Sequence, residues 1–472
     1  AHTERFKNSS LTIGGNFYDF GLNDALVKQN TDWVQDPKQY QSTVSYKLKT
    51  PGGGMFKFFT DYSDTRLSFN INNPNTVSQD LLVNNNRNIY MNANFQGFIS
   101  PMWKIFAGMA YNHTLENGNI NADLYDQRDD LLQEKVTLSR SFYGNSLLTF
   151  GAEQFQGKHR EEYADLRGQY TDVLSAGYAE AEIYFNSRLL LKLGLRAEYS
   201  SYIKEPTLAP RSSLSYTFNK KNQLTFSGGT YYQKPDDSFL SRTTGLNDEK
   251  ANNYALDYEF TAHSRSLRLE GYYKLYRNLA KIVTPVYSGF QAYGPPVYID
   301  SYNNNGSGYA RGADVFWRDQ RTFPGGEYYV SYSYADTKRN YIDFPVEARP
   351  PFVPEHTFNM VGRKFLSKYN TQVSVTYTYS SGRTYFNPLN PVFLGNKTQN
   401  NQDLSFGLSY LPAWVKQFVV VNFTVSNILG FNQVYGYRYS YDGSRRETVL
   451  PPGKRGFLLS FLMNIGDGTF HH

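Results

Sequence analysis

Four aspartates fall within eight residues, Asp123, Asp126, Asp129 and Asp130, inside the polar stretch NADLYDQRDDLLQE (121–134). Carboxylate oxygens are the hard donors that Ca²⁺ gathers in sets of six to eight. The stretch reads as a long loop in which such donors could converge, so the cluster is a weak Ca²⁺ candidate. It lacks the regular Asp/Asn/Gly spacing of an EF-hand loop, and a solvated acidic loop is the better reading. No other metal site and no cofactor are called for. His2, His113, His159, His263 and His356 are nowhere spaced as HExxH, and neither GxSxG nor a P-loop occurs. The chain is therefore read as a non-enzyme without catalytic residues. The absence of cysteine removes disulfides and thiolate metal sites.

A second set of chemically able residues lies in LKLGLRAEYS (191–200). Leu191, Leu193, Leu195, Ala197 and Tyr199 alternate with Lys192, Gly194, Arg196, Glu198 and Ser200, a period of two that marks a strand with one apolar and one polar face. If the apolar face meets lipid, an arginine placed there would cost about 2–4 kcal/mol at the midplane. Lys192, Arg196 and Glu198, with Glu180 and Glu182 of the preceding strand, are therefore expected to face a wet interior. There they either contact a plug or ligand or pair with one another across strands.

The elements that hold these residues follow from composition and spacing. There are 41 Tyr and 34 Phe, yet hydrophobic residues reach only 40%. Aromatic excess without greasiness fits a transmembrane β-barrel, in which half of each strand faces lipid and aromatic rings collect at the two interfaces. No run of 18 apolar residues is present, which excludes a membrane helix. The net charge of +6 is dispersed, giving no nucleic-acid track. Short turn clusters recur at 6–9, 51–54, 100–101, 143–146, 186–188, 219–222, 262–265, 321–326, 366–370 and 412–416, mostly near 44 residues apart. Between them lie paired alternating segments separated by longer polar stretches, among them 121–134, 233–253, 285–308 and 382–402. Short turns at one end and long loops at the other are the asymmetry of an outer-membrane meander. A β-propeller is disfavoured because the segments are too long and the blades would be too many. The fold class expected is all-β, a large antiparallel transmembrane barrel with about 21 strands on this chain and about 22 at closure. In a barrel of that size side chains cannot fill the lumen, which a plug occupies instead.

The phrases GTYYQKP (229–235), GYARGADVFWRD (308–319), YVSYSYADTKRNY (329–341), YTYSSGRTYFNP (377–388) and the ending from 427 to 466 resemble, in this order, the barrel of TonB-dependent outer-membrane receptors. The resemblance implies import of a scarce or bulky ligand bound at extracellular loops, with energy delivered by the TonB complex through an N-terminal plug. Outer-membrane lipid, lipopolysaccharide, the plug and TonB are the partners it implies, with a surface lipoprotein or other envelope protein as a further one. Residues 1–466 are read as the barrel, from which the N-terminal plug domain and the first strand are expected to be absent upstream, and 467–472 as a tail in which His471 and His472 look like a tag remnant. Ligand contact would then fall to the loop aromatics Tyr287, Phe290, Tyr293, Tyr298, Tyr302, Tyr385 and Phe386, whose competing role is to pack loop against loop. A scaffold subunit of a larger envelope complex, or a passive pore, is the alternative function. Finally, Phe457, Leu459, Phe461, Met463 and Ile465 are expected to alternate outward on the last strand, with Ser460 and Asn464 inward and Phe470 at the native end.

Overall fold

The alternating segments are strands in the computed structural model, which describes residues 2–463 apart from 28, 77, 143–144, 284–300 and 416. In chain order the first wall strands are β1 (His2–Arg5), β2 (Ser9–Asp19), β3 (Asp32–Lys49), β4 (Met55–Asn72), β5 (Gln79–Ser100), β6 (Trp103–Ile120) and β7 (Asp123–Ser141), with a short helix α1 (Gly21–Leu26) between β2 and β3. They continue as β8 (Leu147–Tyr163), β9 (Leu166–Tyr184), β10 (Leu189–Ser200), β11 (Pro206–Asn219), β12 (Asn222–Gln233), β13 (Glu249–Ala262) and β14 (Arg265–Ile282). After β15 (Tyr302–Asp319), β16 (Gly326–Asn340), β17 (His356–Leu366) and β18 (Thr371–Ser380), a two-strand hairpin of β19 (Thr384–Tyr385) and β20 (Asn396–Lys397) interrupts the wall. The wall then resumes with β21 (Asn401–Tyr410) and β22 (Val419–Ser426), a second hairpin of β23 (Gly436–Tyr439) and β24 (Arg446–Val449), and finally β25 (Gly456–Met463).

Excluding the two hairpins, 21 strands form one sheet in which each is antiparallel to the next, as the sequence expectation had it. Every backbone N–H and C=O inside such a ladder has a partner within the sheet, the condition for crossing hydrocarbon. The ends of the meander approach each other at the long-loop end. Gln29 bridges Gly453, the Asn30 N–H donates to Pro452 O at 2.5 Å, and its amide donates to Pro451 O at 2.8 Å.

Leu193, Leu195 and Tyr199 on β10, Leu208, Leu214, Tyr216 and Phe218 on β11, and Phe226 on β12 are all exposed, as a lipid belt should be in a chain without its lipid. On β25 Phe457, Leu459, Phe461 and Met463 are exposed and Ser460 pairs across from Asn422. Leu458 and Leu462, on the other face, are exposed as well; Ile465, Asn464 and Phe470 lie outside the described residues.

One expectation is corrected. Residues 121–134 are not a long loop: after a turn at 121–122 the chain is β7 from Asp123 onward. Acidic residues suit a strand once it has risen past the lipid, because its ladder remains bonded while both faces meet water. Wall strands β5 to β9 are 17–22 residues long, against roughly ten needed to span, so the wall continues above the membrane as a polar rim. The same physics places Tyr302 at the start of β15 rather than in a loop.

Candidate functional site

Alternation alone fixes which residues look into the barrel. On β9, Gly168, Tyr170 and Asp172 share a face with Glu180 and Glu182; on β8, Glu153, His159 and Glu161 share one; on β10, Lys192, Arg196, Glu198 and Ser200 do. Outward at the upper level stand Lys158 and Arg160 of β8 and Arg167, Gln169 and Thr171 of β9, all exposed. Charge on the outer face means that this level lies above the hydrocarbon.

Lower on the wall, Lys192, Arg196, Glu198, Glu180 and Glu182 share the polar face set by alternation, and four of them are ion-paired. Lys192 Nζ meets Glu182 Oε1 at 2.8 Å, and Arg196 reaches Glu198 at 2.7 Å and Glu153 at 2.8 Å. Glu153, almost fully buried, also receives Lys135 at 2.5 Å. Glu180 lines a cavity of about 600 Å³ together with Lys104, Lys135, Arg196 and Arg211.

Higher on the same wall is a cluster that sequence reasoning missed. The segment 234–248, with its short helix α2 (Asp237–Leu240), folds against the inner faces of β8 and β9. Lys234 Nζ donates to Asp172 Oδ2 at 3.1 Å, and Asp172, 1% exposed, also accepts from the hydroxyls of Ser200 and Ser201 and the Tyr202 N–H. Glu161 accepts from the Ser241 hydroxyl at 2.7 Å and Arg242 Nε at 2.8 Å. The Tyr170 hydroxyl donates to Asp237, and the Tyr202 hydroxyl donates to Leu240 O at 2.6 Å. Beneath these bonds Phe239, Leu240 and Leu246 pack with Tyr170, Ala280, Ile282 and Tyr302 into a buried cluster, Phe239 stacking on Tyr302 at 4.4 Å. A cavity of about 570 Å³ opens beside it, lined by His159, Glu161, Glu198, Lys234, Asp237 and Asp248 among others. Burial, with Glu198 nearby, pushes the Asp248 carboxyl in the connecting loop up to about 6. The available signal was the pair His159 and Glu161, one residue apart on a single face, in a strand whose other face is also charged.

Three of the four aspartates singled out in the sequence have separate partners. Asp126 pairs with Arg128 at 2.8 Å. Asp130 accepts from the Tyr111 hydroxyl at 2.7 Å and lies 2.8 Å from His113 Nδ1, whereas Asp129 lies 2.5 Å from His159 Nδ1. Adjacent strand residues point to opposite faces, so Asp129 looks inward and Asp130 outward. The four do not gather around one Ca²⁺.

Of the loop aromatics, Tyr287, Phe290, Tyr293 and Tyr298 lie outside the described residues. Tyr302 is buried in the cluster just described. Tyr385, on β19, sits 4.7 Å from Tyr437 and 6.4 Å from Tyr439 of β23, and Arg446 lies 4.5 Å above Tyr437. Phe386 packs on Phe393 beside Phe344 and Leu394.

Similarity to known proteins agrees with this architecture. Solved structures that superpose on the chain include a mutant of the ferric enterobactin receptor PfeA from Pseudomonas aeruginosa, 14% identical, with a TM-score of 0.75 over 97% of this chain and 76% of that one. The ferric yersiniabactin uptake receptor FyuA from Yersinia pestis is 12% identical, with a TM-score of 0.75 over 98% and 77%. The FrpB iron transporter from Neisseria meningitidis is 11% identical, with a TM-score of 0.75 over 97% and 77%. At such identities the likeness is one of fold. No curated protein sequence matches the chain. The model of the family described as TonB dependent receptor-like, beta-barrel matches residues 4–428, and the chain accordingly belongs to that family, as a β-barrel of the bacterial outer membrane that serves TonB-dependent import rather than catalysis.

Proposed function

We propose that ligand is received at the long-loop end of the barrel and passes the charged inner wall when TonB acts through a plug domain seated in the lumen. The observation that carries this reading is the segment 234–248, tied inward across the upper wall by Lys234, Asp237, Ser241 and Arg242. It narrows the mouth and supplies a polar shelf above Glu153, Arg196 and Glu198. The paired charges below leave few bare charges in the lumen, so plug and ligand meet a wall already satisfied. Tyr385 and Phe386, together with Tyr287, Phe290, Tyr293 and Tyr298, are the proposed ligand-side aromatics, whereas Tyr302 is buried and packs segment 234–248 onto the wall. Stacked rings such as Tyr385 on Tyr439 offer rigid contact area at small entropic cost. Lipopolysaccharide contacts belong to the outer rim, and a surface lipoprotein or other envelope partner would meet the same loops.

The test is growth. A strain lacking the gene is compared, under limitation of one nutrient at a time, with strains complemented by the intact gene or by one in which residues 384–397 are replaced with a Gly/Ser segment. Loss of growth on one nutrient in both the deletion and the loop replacement, with the barrel at normal surface levels, supports the reading. Equal growth of all three strains on every nutrient overturns it.

A further inference from the structure

His159 is the least expected residue of the upper wall. Its side chain is 4% exposed, and its Nε2 has no hydrogen-bond partner. Nδ1 is engaged with Asp129 Oδ1 at 2.5 Å, while Nε2 faces Glu161 Oε2 at 3.8 Å, too far for a hydrogen bond. One ligand atom from each of Asp129, His159 and Asp237 lies within 4.8 Å of the other two. The three come from different elements: Asp129 from β7, His159 from β8 and Asp237 from α2 on the inward-folded segment.

The charges around the ring do not balance. Asp129, Glu161 and Asp237 contribute three negative charges, and Arg242 on Glu161 contributes one positive. Lys234 is committed to Asp172 on the neighbouring strand β9. A neutral imidazole would leave two formal negative charges around a buried ring, with Asp129 half-buried and Asp237 exposed toward the cavity. A divalent ion would neutralise both. One imidazole with carboxylates is the mixed donor set that suits first-row divalent metals of the Zn²⁺ type, which sit about 2.0–2.2 Å from such donors. Donors at that distance are about 3.4 Å apart in a tetrahedron, so spacings of up to 4.8 Å close on an ion by small side-chain rotations.

We propose that Asp129, His159 and Asp237 form a binding site for a divalent transition-metal ion of the Zn²⁺ class, with Glu161 as a flanking carboxylate, and that the bound ion pins segment 234–248 to the barrel wall. The site is separate from the aspartate cluster read from the sequence, only one of whose members it uses. It is also independent of which ligand the receptor imports.

The experiment uses the full chain, folded in detergent micelles, stripped with a chelator and titrated calorimetrically with Zn²⁺ alone. The expected result is one ion per chain. His159→Gln and Asp237→Asn should each weaken binding by at least about 10- to 100-fold, the loss caused even by removing an outer-shell partner. Asp237→Asn lies on the connecting segment and keeps an oxygen to accept from Tyr170, so it tests the site even where His159→Gln fails to fold. Asp130→Asn, at the outward His113 pair, should leave binding unchanged. Zn²⁺ should also slow protease cleavage within 234–248 in the parent chain and not in Asp237→Asn. The proposal is overturned if the folded parent chain takes up no ion, or if Asp237→Asn binds Zn²⁺ as the parent does. In either case His159 is simply an imidazolium between carboxylates.

Discussion

Leu195 and Gly194 are adjacent in sequence and should respond in opposite ways to the same substitution. Leu195 is 47% exposed on the outer face of β10, opposite Ala179 of β9 and Pro210 of β11, within the run Leu193, Leu195, Ala197, Tyr199. Arginine at this level of the lipid belt costs about 2–4 kcal/mol, which lowers the folding equilibrium constant about 30- to 700-fold. Gly194 borders the inner cavity of about 600 Å³. A Cβ built there meets only Glu180 Cγ at 3.6 Å and Arg211 Cβ at 4.0 Å, ordinary contact distances. An arginine at 194 thus enters water beside the Glu180 carboxylate, where an ion pair is worth at most about 1 kcal/mol. The assay is equilibrium unfolding of Leu195→Arg and Gly194→Arg in lipid vesicles, with denaturant as the variable. Leu195→Arg should lose stability by the stated amount and Gly194→Arg should stay within about 1 kcal/mol of the parent. Equal losses, or a larger loss for Gly194→Arg, would refute the assignment of faces and with it the lumen.

The inward fold of segment 234–248 yields further expectations. Lys234→Met removes a hydrogen bond to the buried Asp172 and should cost about 1.5–3 kcal/mol locally, seen as faster amide exchange from 234 to 248 while the lower wall is unchanged. Tyr202→Phe deletes the hydroxyl bond to Leu240 O and should loosen the same segment by about 1 kcal/mol, in the same exchange measurement. Burial raises both Asp248 and Asp343, in the connecting loops, to about 6 from the usual 3.8. A carboxyl whose pKa is higher when folded binds its proton more tightly in the folded state. Its contribution is complete below about pH 4 and is lost as pH rises through 6. Both loops should therefore be cut faster by protease at pH 7.5 than at pH 5, and Asp248→Asn with Asp343→Asn should flatten that dependence. A steeper rate at pH 5 would contradict it.

Much of the architecture was legible because a barrel wall is written residue by residue. Lipid on one side and water on the other impose a period of two, and LKLGLRAEYS shows it without a fault. The short turns at 51–54, 186–188, 219–222 and 262–265 all fall between consecutive strands, since Gly, Asn, Lys and Ser clusters break the pattern where the chain must reverse. Legibility failed at 121–134. A polar rim strand lacks the apolar face that makes a strand visible, so the first part of Asp123–Ser141 has the pattern of a loop. It failed again at the upper wall, where Asp129, His159 and Asp237 are separated by up to 108 residues in the chain and no local pattern relates them.

The sequence by itself determined that the chain is an antiparallel meander of about 21 strands, and its period of two sets Lys192, Arg196, Glu180, Glu182 and Glu198 on the face opposite the apolar one. These are local facts, enforced at each residue by the cost of charge in hydrocarbon. Only the tertiary structure decided which charges pair, that segment 234–248 turns back into the mouth, and that His159 ends among carboxylates with one nitrogen unpartnered. Those outcomes depend on strand register and on where a loop finds buried partners, and contact between residues far apart in the chain leaves no period in the sequence to read.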